Sequence, residues 1–168
     1  KGLDLLIEAY AERRAQDPNI PELVIAGPEQ QPDYADGLKA RFAQEGIHWT
    51  GPISGALKWQ TLAAAEALTL VSHQENFGLV VAEALALGTP VLISNKVNIW
   101  REIVNDGAGF AAGDDLAGAH ELLDKWLKLA PDAKLSLRTQ ASATFKRHFE
   151  LRNATKRLIQ LLEETTSH

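Results

Sequence analysis

The chain has 168 residues, 45% of them hydrophobic and 23% charged, with a formal net charge of -5. That size and balance fit one globular domain with a single core, and the negative charge argues against a broad nucleic-acid-binding surface, which needs clustered Lys and Arg. The absence of cysteine excludes disulfides and Cys-ligated zinc and suits a cytoplasmic protein, while no apolar run reaches the roughly 18 residues that span a bilayer and no signal-peptide pattern opens the chain.

The chain begins Lys1-Gly2 and runs at once into a helical pattern without an initiator Met. The intact protein is therefore expected to extend upstream. From Gly2 to Ala15 the apolar residues Leu3, Leu6, Ile7 and Tyr10 make a helical stripe. Pro18 and Pro21 punctuate the turn after it. Glu22–Ala26 is a short apolar run ended by Gly27-Pro28, which reads as a buried strand. Tyr34–Glu45 reads as helix, Ile47–Thr50 as strand, Gly51–Ser54 as turn and Ala56–Glu66 as helix. Ala67–Ser72 is a second buried strand, Leu79–Leu87 an apolar helix stopped by Gly88, and Pro90–Ser94 a third buried strand. A short helix near Ile99–Val104 and a strand near Gly109–Ala112 come next. From Asp114 onward the pattern gives two or three helices, the last with an apolar stripe at Leu151, Leu158, Ile159 and Leu162.

Apolar strands separated by helices predict a doubly wound α/β domain, with one Rossmann-like parallel sheet covered on both faces and a helical C-terminal tail. Such sheets bind ligands at the carboxyl ends of their strands. Three loops lie there: Gly27–Asp33, Gly51–Ser54 and His73–Gly78. In the third, Gly78 removes a side chain where the backbone turns into a helix, so the free first-turn amides could hold an anion such as a diphosphate. Gly78 could equally just permit a tight turn. Glu83 sits among Val80, Val81, Ala84 and Leu85 in the most apolar helix. A carboxylate buried there needs a partner. That partner is either a pair of ligand hydroxyls, as in nucleotide folds that read ribose with an acid, or a Lys or Arg of the chain. Glu75 could polarise a ligand or simply favour the helix start. His73 is an acid–base candidate or a polar loop residue.

The block Ser72-His73-Gln74-Glu75-Asn76-Phe77-Gly78-Leu79-Val80-Val81-Ala82-Glu83-Ala84-Leu85-Ala86-Leu87-Gly88-Thr89-Pro90-Val91 resembles the signature of the group-1 (family four) glycosyltransferases of GT-B architecture. Lys1-Gly2-Leu3-Asp4, Leu23-Val24-Ile25-Ala26-Gly27-Pro28, Trp49-Thr50-Gly51-Pro52-Ile53 and Arg101-Glu102-Ile103-Val104 resemble further parts of that family, over about the first 115 residues. The resemblance implies the C-terminal, donor-binding half of a retaining enzyme that moves a sugar, hexosyltransferase-like, from a nucleotide diphosphate sugar to an acceptor hydroxyl, with no metal or other cofactor. It implies that Glu83 holds the ribose, that amides around Gly78, Leu79 and Val80 hold the diphosphate, and that Glu75, Asn76 and Phe77 touch the donor sugar. It further implies Lys1 as the cation on the leaving diphosphate, Gly27 at the donor and Ile53 near the base. Residues 1–168 then form one nucleotide-sugar-binding domain, whose N-terminal acceptor domain and first strand precede it. Alone it is expected not to turn over. The acceptor would be a sugar, a glycan or a lipid-linked group, the last placing the protein at the inner face of a membrane.

Two rival readings are a non-catalytic nucleotide-binding module and a nucleotide-sugar epimerase. A dinucleotide-dependent oxidoreductase is disfavoured, because no G-x-G-x-x-G follows an expected strand. Trp100 could line the sugar pocket, but a helix anchor fits it better. Lys125, Lys128 and Lys134 could touch a membrane, but a solvated face fits them better.

Overall fold

The computed structural model of the chain describes residues 2–28, 32–43 and 46–150. Thirteen elements run in chain order: α1 (Leu3–Gln16), β1 (Leu23–Ala26), α2 (Pro32–Arg41), β2 (Ile47–Gly51), α3 (Gly55–Ala64), β3 (Leu68–Leu70), α4 (Leu79–Ala86), β4 (Val91–Ser94), α5 (Trp100–Asn105), β5 (Gly109–Ala112), α6 (Leu116–Leu127), α7 (Pro131–Thr144) and a π-helical turn, Phe145–Phe149. Every strand pairing is parallel. This is the expected α/β alternation, and the expected residues 151, 158, 159 and 162 of the last helix lie outside the described residues, as does Lys1.

The β3-β4-β5 sheet is covered on both faces. Successive strand residues point to opposite faces, and β4 divides accordingly. Leu92 packs with Leu6, Tyr10, Leu122 and Trp126 of α1 and α6. Val91 and Ile93 pack with Val81, Leu85, Ile103 and Ala141 of α4, α5 and α7. β4 is buried along its whole length, as its sequence predicts.

Two features depart from the single, doubly covered sheet expected from the sequence. The strands hydrogen-bond as two sheets, β1-β2 and β3-β4-β5, and no described strand joins β1 to β3. Helix α1 spans the two, since its cluster includes Leu23 and Ile47 as well as Leu92. The second departure is that neither β1 nor β3 is the buried strand expected: β3 is half-buried along its length, and β1 is not buried either. Its burial alternates, with Val24 48% exposed. The register explains this. Leu23 pairs with Ile47 on the face that α1 covers, whereas Val24 pairs with His48 on the other face, where both side chains are exposed.

Boundaries move for identifiable reasons. Helix α2 starts at Pro32, before the expected Tyr34, because proline is preorganised for a first helical position. β3 stops at Leu70, short of the expected Ser72. Ser72 turns into local bonds there, donating its hydroxyl to the Gln74 carbonyl and accepting from Ser94 Oγ on its own carbonyl. α4 ends at Ala86, with Gly88 at φ +72° beyond it. Thr89 then donates its buried hydroxyl to the Leu62 carbonyl at 2.7 Å, tying the end of α3 to the start of β4.

The approach of β5 to β4 depends on Gly109. A Cβ there would lie 2.0 Å from the Val91 carbonyl oxygen. Gly109→Ala must therefore push the strands apart, and we expect a loss of about 1–3 kcal/mol, the usual cost of overpacking. The denaturant midpoint of unfolding should fall at unchanged slope. An unaltered midpoint would contradict the close contact.

Candidate functional site

The site is assembled from two strand–helix junctions whose helices meet. The loop His73–Gly78 leads from β3 into α4. The loop Pro52–Ser54 leads from β2 into α3, after Gly51 at φ +67°. One ion pair brings the N-terminal halves of the two helices together: Lys58 Nζ on α3 lies 2.5 Å from Glu83 Oε1 on α4.

The loop after β3 is held by its backbone. Glu75 N donates to the Lys96 carbonyl at 3.1 Å, and the Glu75 carbonyl accepts from Asn98 N at 3.1 Å. Glu75 thus makes a one-residue parallel bridge with Val97, just beyond β4. Its side chain is half-buried, while Asn76 and Phe77 beside it are exposed. Gly78 then caps α4 in the left-handed region at φ +68°, ψ +66°. That conformation, and a hypothetical Cβ only 3.2 Å from Val81 Cγ2, explain the glycine. The Gly78 carbonyl accepts the first helical bonds, from Val81 and Ala82 at 2.8 and 3.3 Å. The amides of Leu79 and Val80 precede those bonds and point out of the helix end, where the dipole favours an anion. Leu79 is 72% exposed and Val80 half-buried.

Glu83 lies one turn further in, with its side chain 24% exposed. Lys58 satisfies Oε1. Oε2 is buried and has no hydrogen-bond partner among the described residues. The sequence left two partners open for this carboxylate, a ligand or a cation of the chain. The structure supplies the cation for one oxygen and no described partner for the other. Lys58 was not among the residues singled out from sequence, because one Lys in a short amphipathic helix carries no spacing signal.

Ile53 is half-buried in the β2–α3 turn. Gly27 donates its amide to the Gly51 carbonyl at 3.0 Å. A Cβ at Gly27 would meet nothing within 4 Å, so packing does not require a glycine there. His73 Nδ1 lies 3.0 Å from Asp114 Oδ2 on the loop after β5, with Lys96 Nζ 4.0 Å from the other oxygen. His73 is thus a loop tie. Trp100 packs against the α4–α5 core with Arg101 over its ring, which is the helix-anchor role. Lys125, Lys128 and Lys134 each pair with a carboxylate, on Glu121, Asp124 and Glu66. Sequence reasoning also missed Phe149, whose ring meets Phe77 edge-on at 5.7 Å between centroids. Among the described residues no cluster of three His, Cys, Asp or Glu side chains could hold a metal, and no helix is long and apolar enough to cross a membrane.

A Rossmann-like α/β domain with a helical tail is the fold found in GT-B glycosyltransferases. The solved structures agree on the fold. Sucrose-phosphate synthase from Thermosynechococcus elongatus superposes with a TM-score of 0.78 over 99% of this chain and 43% of its own, at 21% identity. The C-terminal domain of a group 1 family glycosyl transferase from Francisella tularensis superposes with a TM-score of 0.74 over 90% of this chain and 80% of that one, at 20% identity. The family model for glycosyl transferases group 1 matches residues 1–144, and the chain belongs to that family. The D-inositol 3-phosphate glycosyltransferase of Jonesia denitrificans is 31% identical over an alignment of 121 residues that covers 68% of this chain and 28% of that protein. The glycogen synthase of Mycobacterium tuberculosis is 32% identical over 120 residues, 70% of this chain and 29% of that protein. The chain therefore spans less than a third of these two relatives. It is a glycosyltransferase domain, and neither the epimerase nor the non-catalytic module is favoured.

The His73–Asp114 tie has a pH signature. The hydrogen bond from His73, helped by Lys96, holds the Asp114 carboxyl below the ordinary aspartate range. A carboxyl lowered in the folded state stabilises at pH above its unfolded value of about 3.9 and loses that contribution as pH falls through the folded value. His73→Ala should raise the Asp114 titration towards the unfolded value in a carbon-detected NMR experiment. An unmoved titration would assign the lowering to another group.

Proposed function

We propose that this chain is the donor-binding half of a retaining transferase that moves a sugar from a nucleotide diphosphate sugar to a hydroxyl of a sugar, glycan or lipid-linked acceptor, without a metal. The observation that carries the reading is Glu83 Oε2, a buried carboxylate oxygen without a described partner, one helical turn from the first-turn amides of α4. Such an orphan costs about 1–3 kcal/mol. A ribose hydroxyl that reached Oε2 would recover that cost. The spacing suits one ligand, with the diphosphate at Leu79 and Val80 and the ribose at Glu83. Glu75, Asn76 and Phe77 would face the donor sugar, and Ile53 and Gly27, on the neighbouring junctions, would border the nucleoside. Lys1 would neutralise the leaving diphosphate, although it lies outside the described residues.

The acceptor side belongs, in this reading, to an N-terminal domain of the same polypeptide, and this domain alone does not turn over. Gly2 abuts the Val71 carbonyl just beyond β3.

The test is thermal-shift screening of the intact polypeptide with UDP, GDP, ADP and their sugar conjugates. A nucleotide at 100 times its dissociation constant should stabilise by about 2.7 kcal/mol. Glu83→Ala should lose the shift for every nucleotide. If the variant keeps the full shift, the ribose assignment is wrong.

A further inference from the structure

Lys58 is set up to do more than neutralise Glu83. Its ammonium is fixed from two sides. It lies 2.5 Å from Glu83 Oε1 and 5.1 Å from the centroid of the Trp59 ring. A cation over an aromatic face is attracted by the ring quadrupole, so Trp59 helps hold the lysine in place. The last torsion of a glutamate is broad and has little preference of its own. A carboxylate on α4 would therefore sample many orientations unless something gripped one oxygen. Lys58 grips Oε1 and leaves Oε2 without a described partner.

A positioning pair and a latch on an empty site make the same single contact, and ligand binding tells them apart. We propose that Lys58 is a positioning residue for the donor nucleotide: it orients Glu83 so that the carboxylate reads the two ribose hydroxyls. The inference rests on the ribose role of Glu83 proposed above and adds a discrimination to it. The site selects a ribonucleotide over its 2′-deoxy counterpart, and Lys58 governs that selection.

The experiment measures dissociation constants of the intact polypeptide for UDP, GDP and ADP and for the 2′-deoxy form of each, by calorimetry. The parent should bind at least one ribonucleotide about tenfold more tightly than its deoxy form, the factor that one hydrogen bond to a charged group supplies. Glu83→Gln should weaken the ribonucleotide. Lys58→Met should weaken it by a comparable factor and bring the ribo and deoxy constants together. Lys58→Arg should restore part of the difference, because it restores the cation. Lys58→Gln serves as a second neutral variant if the Met protein does not fold, and melting temperatures report on folding. A lysine that only stabilises the fold would weaken both nucleotides equally and leave their ratio unchanged.

The outcomes are distinct. If no nucleotide binds the parent, or if Glu83→Gln leaves binding and the ratio intact, the ribose reading itself fails. If the parent discriminates and Glu83→Gln abolishes the difference, but both neutral Lys58 variants keep it, the role of Lys58 fails alone. Tighter binding by those variants would make the pair a latch and overturn the proposal.

Discussion

The architecture depends on β4 being buried from end to end between two neighbours. Val91–Ser94 pairs with β3 on one side and β5 on the other. Its residues serve both core clusters. This strand can sit so deep because its backbone groups are satisfied by ladders on both edges, and because Gly109 removes the side chain that would block β5. The segment just after β4 then positions the loop just after β3. The carbonyl of Lys96 and the amide of Asn98 are the partners of Glu75. The loop that carries Glu75, Asn76 and Phe77 is therefore an extension of the β3–β4 pairing by one bridge. It inherits the rigidity of the most buried strand in the domain, the kind of support a binding loop needs to hold its geometry.

The second helix junction is fixed by different physics. β2 belongs to the two-stranded sheet, which touches the rest through α1 rather than through a ladder. Nothing in the strand pairing fixes where α3 lies relative to α4. Leu62 packs into the cluster of Val81 and Leu85 on α4, and polar contacts add to it. Thr89 ties the Leu62 carbonyl, Arg138 donates to the carbonyls of Ala63 and Ala65, and Lys58 ties Glu83. Leu62, Thr89 and Arg138 anchor the C-terminal half of α3 and its exit. The Lys58–Glu83 pair sits at the proposed donor edge, where the other junction has backbone bonds.

The same division decides how much was legible in the sequence. The fold class was legible because β3–α4–β4 reads as apolar strand, glycine turn, apolar helix and apolar strand, and burial on both faces enforces that pattern. The glycine-capped start of α4 was legible too, because only glycine adopts φ +68° without strain. The exposure of β1 was not. LVIA is as apolar as a buried strand, and Val24 is exposed because no described element lies over that face, a tertiary fact. The split of the sheet was hidden for the same reason. Sequence identifies strands but not which edges meet. Glu83 stood out because a charge in an apolar helix conflicts with its surroundings. Lys58 did not, because a lysine in Ala-Leu-Lys-Trp-Gln conflicts with nothing.

Phe149 shows how a contact far along the chain can bear on the same loop. α7 does not end where its regular hydrogen bonding ends. It continues into a π-helical turn, a geometry uncommon enough that it persists where side-chain contacts reward it. Here the reward is visible. Arg147 and His148 both reach Asp106, at the C-terminal end of α5. With those two drawn to α5, Phe149 is turned onto Phe77. Helix α5 begins just after Asn98, whose amide binds Glu75. The loop is therefore gripped at its backbone from one end of α5, while the far end of the same helix anchors the turn that touches its one exposed aromatic ring. A shift of α5 would move both grips together. α5 thus neighbours the loop's backbone partner at one end and holds the π turn at the other. For a domain whose ligand contacts are expected in that loop, this makes α5 the element through which the C-terminal segment and the site share a single geometry.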